Sequence, residues 1–411
     1  MILFQKLLYH IAVCFIWLGL AFASLFNKKA RLLFRGSARA MAQLSYWRLT
    51  YPNSPVVWFH AASLGEFEQA RPVIEAYKAA FPQWKVVLTF FSPSGYEIRK
   101  NTPVADLISY LPPDLQWITQ AYHREMRAQL VFFVKYDFWI NHLASAKANG
   151  AKLYCLSATF HPSHIYFRPW ALIYKRMLME FDLLMLQNQA SADVLSKAGL
   201  SNYHITGDTR YDRVAMLPVS VAPLPELATW TKEQPTLVVG SSWPQDIDAL
   251  QLVFEDSTLF SRIIIAPHDV SEASIHQLIT QLKGNKYTLF SRFSADSRIC
   301  IIDSIGKLNS AYAYASVAYV GGAFKQGLHN ILEPAAFSKP VLFGPLIDKY
   351  PEAMEMIKAG AAKIVSDPRD CLESMKMMLD DADYGKRAGT FISERTGATE
   401  KVMQLLSNSA R

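Results

Sequence analysis

The stretch VVWFHAASLGEFEQARP, Val56 to Pro72, passes in seventeen residues from an apolar run rich in β-branched and aromatic side chains, through a Ser-Leu-Gly turn, into a helix-length segment that continues to Phe81. Strand, tight turn and amphipathic helix in that order form the first half of a βαβ unit, the building block of a parallel sheet covered by helices. Glu66 falls where the strand gives way to the helix. Pro72 predicts that the regular helix either starts later than Glu66 or bends at the proline.

Outward from this stretch the same rhythm repeats. Apolar runs at 85–90 (KVVLTF), 130–134 (LVFFV), 152–157 (KLYCLS) and 183–187 (LLMLQ) alternate with helix-length segments. The segment MLPVSVAPLPELATW, 216–230, interrupts with three prolines and reads as a linker. The alternation resumes at 236–241, 262–268, 286–290, 298–303, 316–322 and 340–345. The expected fold is α/β with two Rossmann-like doubly wound domains, 41–215 and 231–395, facing a cleft, and a last segment, 396–411. Ligands of such sheets bind at the carboxyl ends of the strands. With no Gly-x-Gly-x-x-Gly and no Gly-x-x-x-x-Gly-Lys-Ser/Thr, a dinucleotide or P-loop enzyme is not expected.

No acid precedes Glu66, whereas seven Lys and Arg do; the remaining 35 balance all 35 Asp and Glu, so the formal charge of +7 belongs to the first 65 residues alone. This is not the pattern of a nucleic-acid binder, and nucleic acid is not an expected partner. The basic segment follows LLYHIAVCFIWLGLAFASLF, Leu7 to Phe26, twenty residues of about the length that crosses a bilayer. A cleaved signal peptide fits poorly because the cations follow the run. A spanning helix or an interfacial anchor remains, so residues 1–40 are expected to hold the chain at the cytoplasmic face of a membrane, with the cations among anionic headgroups. Four scattered cysteines offer neither a disulfide framework nor a zinc spacing.

Candidate chemistry sits at the predicted strand ends. Glu66 is either a helix-opening acid favoured by the dipole or a general base. GLHNILEPAAF, 327–337, follows a strand and the pair Gly321 and Gly322. Its Asn330 and Glu333 have capping-box spacing, and its turn also suits a nucleotide phosphate or ribose. GSSWPQD, 240–246, repeats strand, glycine, hydroxyls and proline, the pattern of a serine cap. His268 and Lys307 close two further strands. Lys135 and Asp137 lie just past another, and Arg210 stands near the linker as a cation for a developing charge or for an ion pair. His161 and His164 are assigned no role.

Taken in order, HAASLGE ending at Glu66, YLPPDL (110–115), KYDFW (135–139), GDTRYD (207–212), GSSWP (240–244), APH (266–268) and VGGAFKQGLHNILEPAAF (320–337) resemble the Kdo transferases of lipopolysaccharide synthesis. The resemblance implies a GT-B glycosyltransferase whose last helix returns to the first domain. It implies inverting, metal-independent transfer of Kdo from CMP-Kdo to the glucosamine disaccharide of a lipid A precursor, at the inner membrane of a Gram-negative cell. By position, Glu66 is the base, and Arg210 stands where relatives carry a lysine that stabilises the transition state. Donor contacts fall to Ser241, Ser242, His268, Ile305, Gly306, Lys307, His329, Asn330, Ile331, Leu332 and Glu333. Lys135 stands where relatives carry an acid, so a second transition-state role passes to it with reversed charge or to Asp137. The alternatives are a membrane-associated GT-B enzyme using another nucleotide sugar and a nucleotide-sugar-binding protein without turnover.

Overall fold

A computed structural model of the chain describes residues 2–409. It divides by contact into two units, Met1–Arg213 with Thr396–Arg411, and Val214–Arg395.

In the first unit two helices, α1 (Ile2–Ala23) and α2 (Lys28–Thr50), precede a seven-stranded sheet. Its strands are β1 (Val56–Ala61), β2 (Lys85–Phe90), β3 (Leu107–Tyr110), β4 (Ala128–Val134), β5 (Lys152–Ala158), β6 (Leu183–Leu186) and β7 (Tyr203–Ile205). They pair in the order β3-β2-β1-β4-β5-β6-β7, all parallel. Every residue of β1 is buried, as a central strand covered on both faces requires. Its alternation feeds two cores. Val56 and Trp58 join Leu44, Tyr122 and Phe133 on one face; Val57, Phe59 and Ala61 join Phe67, Ile74 and Phe132 on the other.

Helix α3 (Leu64–Ala80) lies on the second face and runs through Pro72, so the regular helix begins ahead of Glu66 and not after it. The final helix, Ala398–Ser409, adds Val402 and Leu406 to the core beneath α3. Where the chain leaves this unit and where it re-enters are clasped together. Asp212 accepts from the backbone N–H groups of Gly397 and Thr399 and from the Thr399 hydroxyl, each at 2.6 Å.

The second unit holds β8 (Thr236–Ser242), β9 (Arg262–Pro267), β10 (Tyr287–Leu289), β11 (Ile299–Ile301), β12 (Val317–Val320), β13 (Val341–Phe343) and β14 (Ala362–Ile364). They form one sheet in the order β10-β11-β9-β8-β12-β13-β14. Residues 216–230, expected as a linker, carry two short helices, Leu217–Ser220 and Pro225–Trp230, each with proline near its start. Leu224, Leu227 and Trp230 are buried in this unit's core with Ile264 and Tyr312. The prolines that read as chain breaks open helices instead.

Candidate active site

Both sheets reverse their strand order near the middle, between β1 and β4 and between β8 and β12, and the second turns again at β11, outside which β10 pairs. At such a reversal the loops leaving the two central strands part and open a crevice. Glu66, Lys135 and Asp137 follow β1 and β4, and Ser241, Ser242 and residues 329–333 lie at the ends of β8 and β12; His268 follows β9, residues 305–307 follow β11, and Arg210 follows the edge strand β7.

In the first unit β1 ends at Ala61 and Ser63 caps α3. Glu66 returns its Oε2 to the Ser63 N–H at 3.0 Å while the Ser63 hydroxyl accepts from the Glu66 N–H at 3.4 Å, a reciprocal capping box. The capping reading of Glu66 is therefore realised, but it does not exhaust the residue's surroundings. Burial pushes the half-buried Glu66 carboxyl above its ordinary pKa, and repulsion from Asp137 pushes the same way; His60, the Ser63 N–H and Lys135 oppose both. Desolvation and a like charge thus outweigh the groups that favour the ionised form.

Asp137 and Lys135 come from the loop after β4. Lys135 adopts a left-handed backbone (φ 62°), an uncommon conformation for a side-chain-bearing residue. Its N–H donates to the Leu156 carbonyl at 2.9 Å, and its carbonyl accepts from the Cys155 thiol at 3.0 Å. β5 therefore imposes the turn that brings Asp137 toward β1. The Asp137 Oδ2 lies 3.4 Å from His60 Nε2 and accepts from Trp139 Nε1 at 3.2 Å. His60, within β1 and 1% exposed, bonds through Nδ1 to the Thr89 hydroxyl at 2.9 Å, and that hydroxyl accepts from Trp58 Nε1 at 2.8 Å. If Thr89, already an acceptor, directs its proton to Nδ1, the Nε2–H of His60 points at Asp137.

Arg210 is ion-paired with Asp208, Nε and Nη2 both 2.8 Å from Oδ2. Asp208 is 7% exposed and also accepts from Gln69 of α3 at 3.3 Å. Thr209 donates to the Gln69 carbonyl at 2.6 Å and bonds to Ser157 at the end of β5. The short helix Thr209–Ala215, whose first turn carries Arg210, is thus fixed to α3, whose first turn carries Glu66.

In the second unit the loops after β8 and β12 are joined by Asp246, which is 0% exposed. Its carboxylate accepts from the N–H groups of Trp243 (2.8 Å) and Gly322 (2.9 Å) and from the Tyr319 hydroxyl (2.9 Å). The helix Pro244–Ala249 is capped by this acid reaching back, not by a serine. Ser241 is left-handed (φ 52°), and Ser242 is buried, with its carbonyl accepting from the His268 N–H at 3.0 Å. Gly322 has φ 98°, and a Cβ there would collide with the Gly327 carbonyl, so glycine is required.

Above this frame Trp243, His268 and His329 form a ring stack, with centroids 4.5 Å and 4.6 Å apart. Trp243 Nε1–H donates to His329 Nε2 at 3.1 Å. Burial, reinforced by His268, holds the His329 pKa down to about 4, so this ring is a neutral acceptor at physiological pH. A pocket of about 380 Å³ adjoins the stack, lined by Ser242, Trp243, His268 and Asp269 among others.

Asn330 is exposed and donates to Glu333 Oε1 at 3.1 Å while accepting from the Leu332 N–H at 3.2 Å. The reciprocal capping box expected of this pair does not form: the two side chains bond to each other, and the helix they open, Leu332–Ala336, has only five residues. Ile331 and Leu332 are buried, which leaves their backbone as the part able to meet a ligand. Ile305 is 87% exposed, Gly306 is left-handed (φ 88°), and the Lys307 ammonium lies 5.9 Å from the Phe290 ring centroid.

His60 and Asp246 were not among the sequence candidates. Each carried a weak signal: a histidine inside an otherwise apolar strand, and an acid four residues beyond Ser242 of the predicted serine cap. Among the described residues no group of three or more His, Cys, Asp or Glu side chains is placed to hold a metal ion.

Residues 36–213 match the family model of the 3-deoxy-D-manno-octulosonic-acid transferases (kdotransferases). The chain is similar to the 3-deoxy-D-manno-octulosonic acid transferase of Chlamydia muridarum (strain MoPn / Nigg), 26% identical over 381 residues that cover 87% of this chain and 86% of the relative. The transferase of the same name from Chlamydia trachomatis serovar D is 24% identical over 371 residues, with 87% and 86% covered. In three dimensions the chain is similar to a putative UDP-N-acetylglucosamine 2-epimerase from Listeria monocytogenes, with a TM-score of 0.61 at 12% identity over 86% of this chain and 96% of that one. At that identity the likeness speaks for the fold, two parallel-sheet α/β domains of GT-B type.

Proposed function

We propose that the chain, whose residues 36–213 match the family model of the 3-deoxy-D-manno-octulosonic-acid transferases, is a glycosyltransferase that moves Kdo from CMP-Kdo to the glucosamine disaccharide of a lipid A precursor. In this reading the transfer inverts the anomeric centre, requires no metal and takes place at the cytoplasmic face of a Gram-negative inner membrane.

The observation that carries the proposal is the Glu66 carboxyl, half-buried at a strand-order reversal and held above its usual pKa by burial and by Asp137. A carboxylate so placed is a stronger base than one in water. It takes the proton of the acceptor hydroxyl as that oxygen bonds to the anomeric carbon. The bond from that carbon to the CMP phosphate oxygen breaks on the opposite face, and the electron pair leaves with CMP. Asp137, steadied by His60 and Trp139, orients the acceptor. Arg210, set in place by Asp208, and Lys135 supply positive charge to the departing phosphate. Donor binding falls to the second unit. The Trp243-His268-His329 stack offers flat faces to a base, and the turns at Ser241 to Ser242, Ile305 to Lys307 and His329 to Glu333 offer backbone and polar contacts to ribose and phosphate.

The test is incubation of the purified full chain with CMP-Kdo and a lipid A precursor in detergent, with the acceptor weighed by mass spectrometry. The expected result is a gain of one or more Kdo masses and release of CMP, unaffected by chelator. An acceptor of unchanged mass, together with turnover of a UDP-sugar in its place, would overturn the assignment.

A further inference from the structure

Helix α1 is apolar and long enough to cross a bilayer, yet one stripe of it is attached to the first unit from end to end. The Gln5 side chain donates to the Trp170 carbonyl and accepts from the Ile173 N–H. Tyr9 donates to the buried Asp114, Val13 is 2% exposed, and Trp17 packs against Phe34 of α2 at 6.3 Å between ring centroids. Beyond the last turn Arg31 of α2 donates to the carbonyls of Ser24 and Leu25. In a spanning helix followed by cytoplasmic domains, Gln5 and Tyr9 would stand on the far side of a hydrocarbon layer about 30 Å thick. Here they bond to the same globular body that α2 enters through Leu33, Ala40 and Leu44.

The opposite stripe of α1 is bare and apolar. Leu3 is 82% exposed and Phe15 and Phe22 nearly 70%, with Leu7 and Leu18 beside them and exposed Phe26 in the turn that follows the helix. Five exposed cations follow on α2: Lys28, Lys29, Arg31, Arg35 and Arg39. A second copy of the chain docked on this face would bring like charges together; an anionic leaflet takes both the apolar stripe and the cations.

We propose that α1 does not cross the membrane but lies in the plane of the cytoplasmic leaflet. Along its 22 residues, about 33 Å, the outer stripe is sunk among the acyl chains and the α2 cations sit at the headgroups. The inference rests on the membrane association proposed above and fixes its geometry: the Gln5 end of the helix and the catalytic residues stay on one side.

The test uses the full chain expressed in a Gram-negative host with Cys14→Ser, the remaining cysteines being buried. Gln5→Cys with Trp170→Cys is treated in isolated membranes with a short bis-maleimide, and Lys6→Cys with a membrane-impermeant maleimide in intact spheroplasts and in inverted vesicles. The expected result is an intramolecular cross-link in most of the membrane-bound chain and modification of Lys6→Cys in inverted vesicles only. Modification of Lys6→Cys in intact spheroplasts, with no cross-link, means that α1 spans and overturns the proposal. Recovery of the chain in the soluble fraction sinks the membrane reading itself and this proposal with it.

Discussion

Each unit places one carboxylate where its sheet reverses strand order, and the two are used in opposite ways. Asp246 is 0% exposed and has three donors, from Trp243, Gly322 and Tyr319. Glu66 is half-buried, gives one oxygen to the Ser63 N–H and faces a second acid, Asp137. Burial pushes both carboxyls above the ordinary range; the three donors of Asp246 oppose that rise and tie two loops together, whereas Glu66 has fewer donors and a like charge beside it, which leaves it able to take a proton from a ligand. The difference lies in the number of donors, not in the fold, which is of one type in both units.

The sharpest way to break this comparison is Glu66→Gln. Glutamine still accepts from the Ser63 N–H, so the capping box survives while the base is gone. Transfer is expected to fall by about 10²–10⁴-fold with CMP affinity unchanged, read by product mass and by calorimetric titration. Retained transfer would make Glu66 a cap and no more. Next in size is Asp246→Ala, which leaves two N–H groups and a hydroxyl buried without acceptors. At about 1–3 kcal/mol for each orphaned group, a loss of several kcal/mol in urea unfolding and a loss of CMP binding are expected. An unchanged midpoint would remove the architectural role given to this acid.

Asp137→Asn sharpens the first half of the comparison. Removing the like charge lowers the Glu66 pKa, so the acid limb of kcat/KM moves to lower pH than in the parent chain; a limb that stays in place means that burial alone sets the base. The smallest effect concerns stability. Because the folded-state pKa of Glu66 is raised, its contribution to stability is fully present below the unfolded pKa and is lost as pH rises through the folded value. At neutral pH the ionised side chain therefore burdens the fold, and Glu66→Gln is expected to raise the thermal midpoint slightly there but not near pH 4.

Much of this was legible in the sequence because parallel sheets bury their central strands completely, and runs such as VVWFH and RIIIAPH advertise that. The edge strands β3, β7 and β14 were not foreseen: they have three or four residues each, and their half-exposed positions carry no continuous apolar run. The stretch 216–230 was misread because proline punctuates loops and opens helices with equal ease. Glu66, Lys135 and Asp137 could be nominated from strand ends. The link from His60 to Asp137 could not, since 77 residues separate them and only the β1–β4 pairing brings them together. The Trp243-His329 bond, 86 residues apart, is hidden for the same reason.

The Asp212 clasp has a consequence for how the protein is made. Residues 396–409 leave the ribosome after the entire second unit, and until they do, the core beneath α3 lacks Val402 and Leu406. The half that carries Glu66 thus begins synthesis first and is completed last. A chain cut short anywhere before Thr396 is left with an unfinished first half however well the second has folded, and it has nothing with which to close the ring at Asp212.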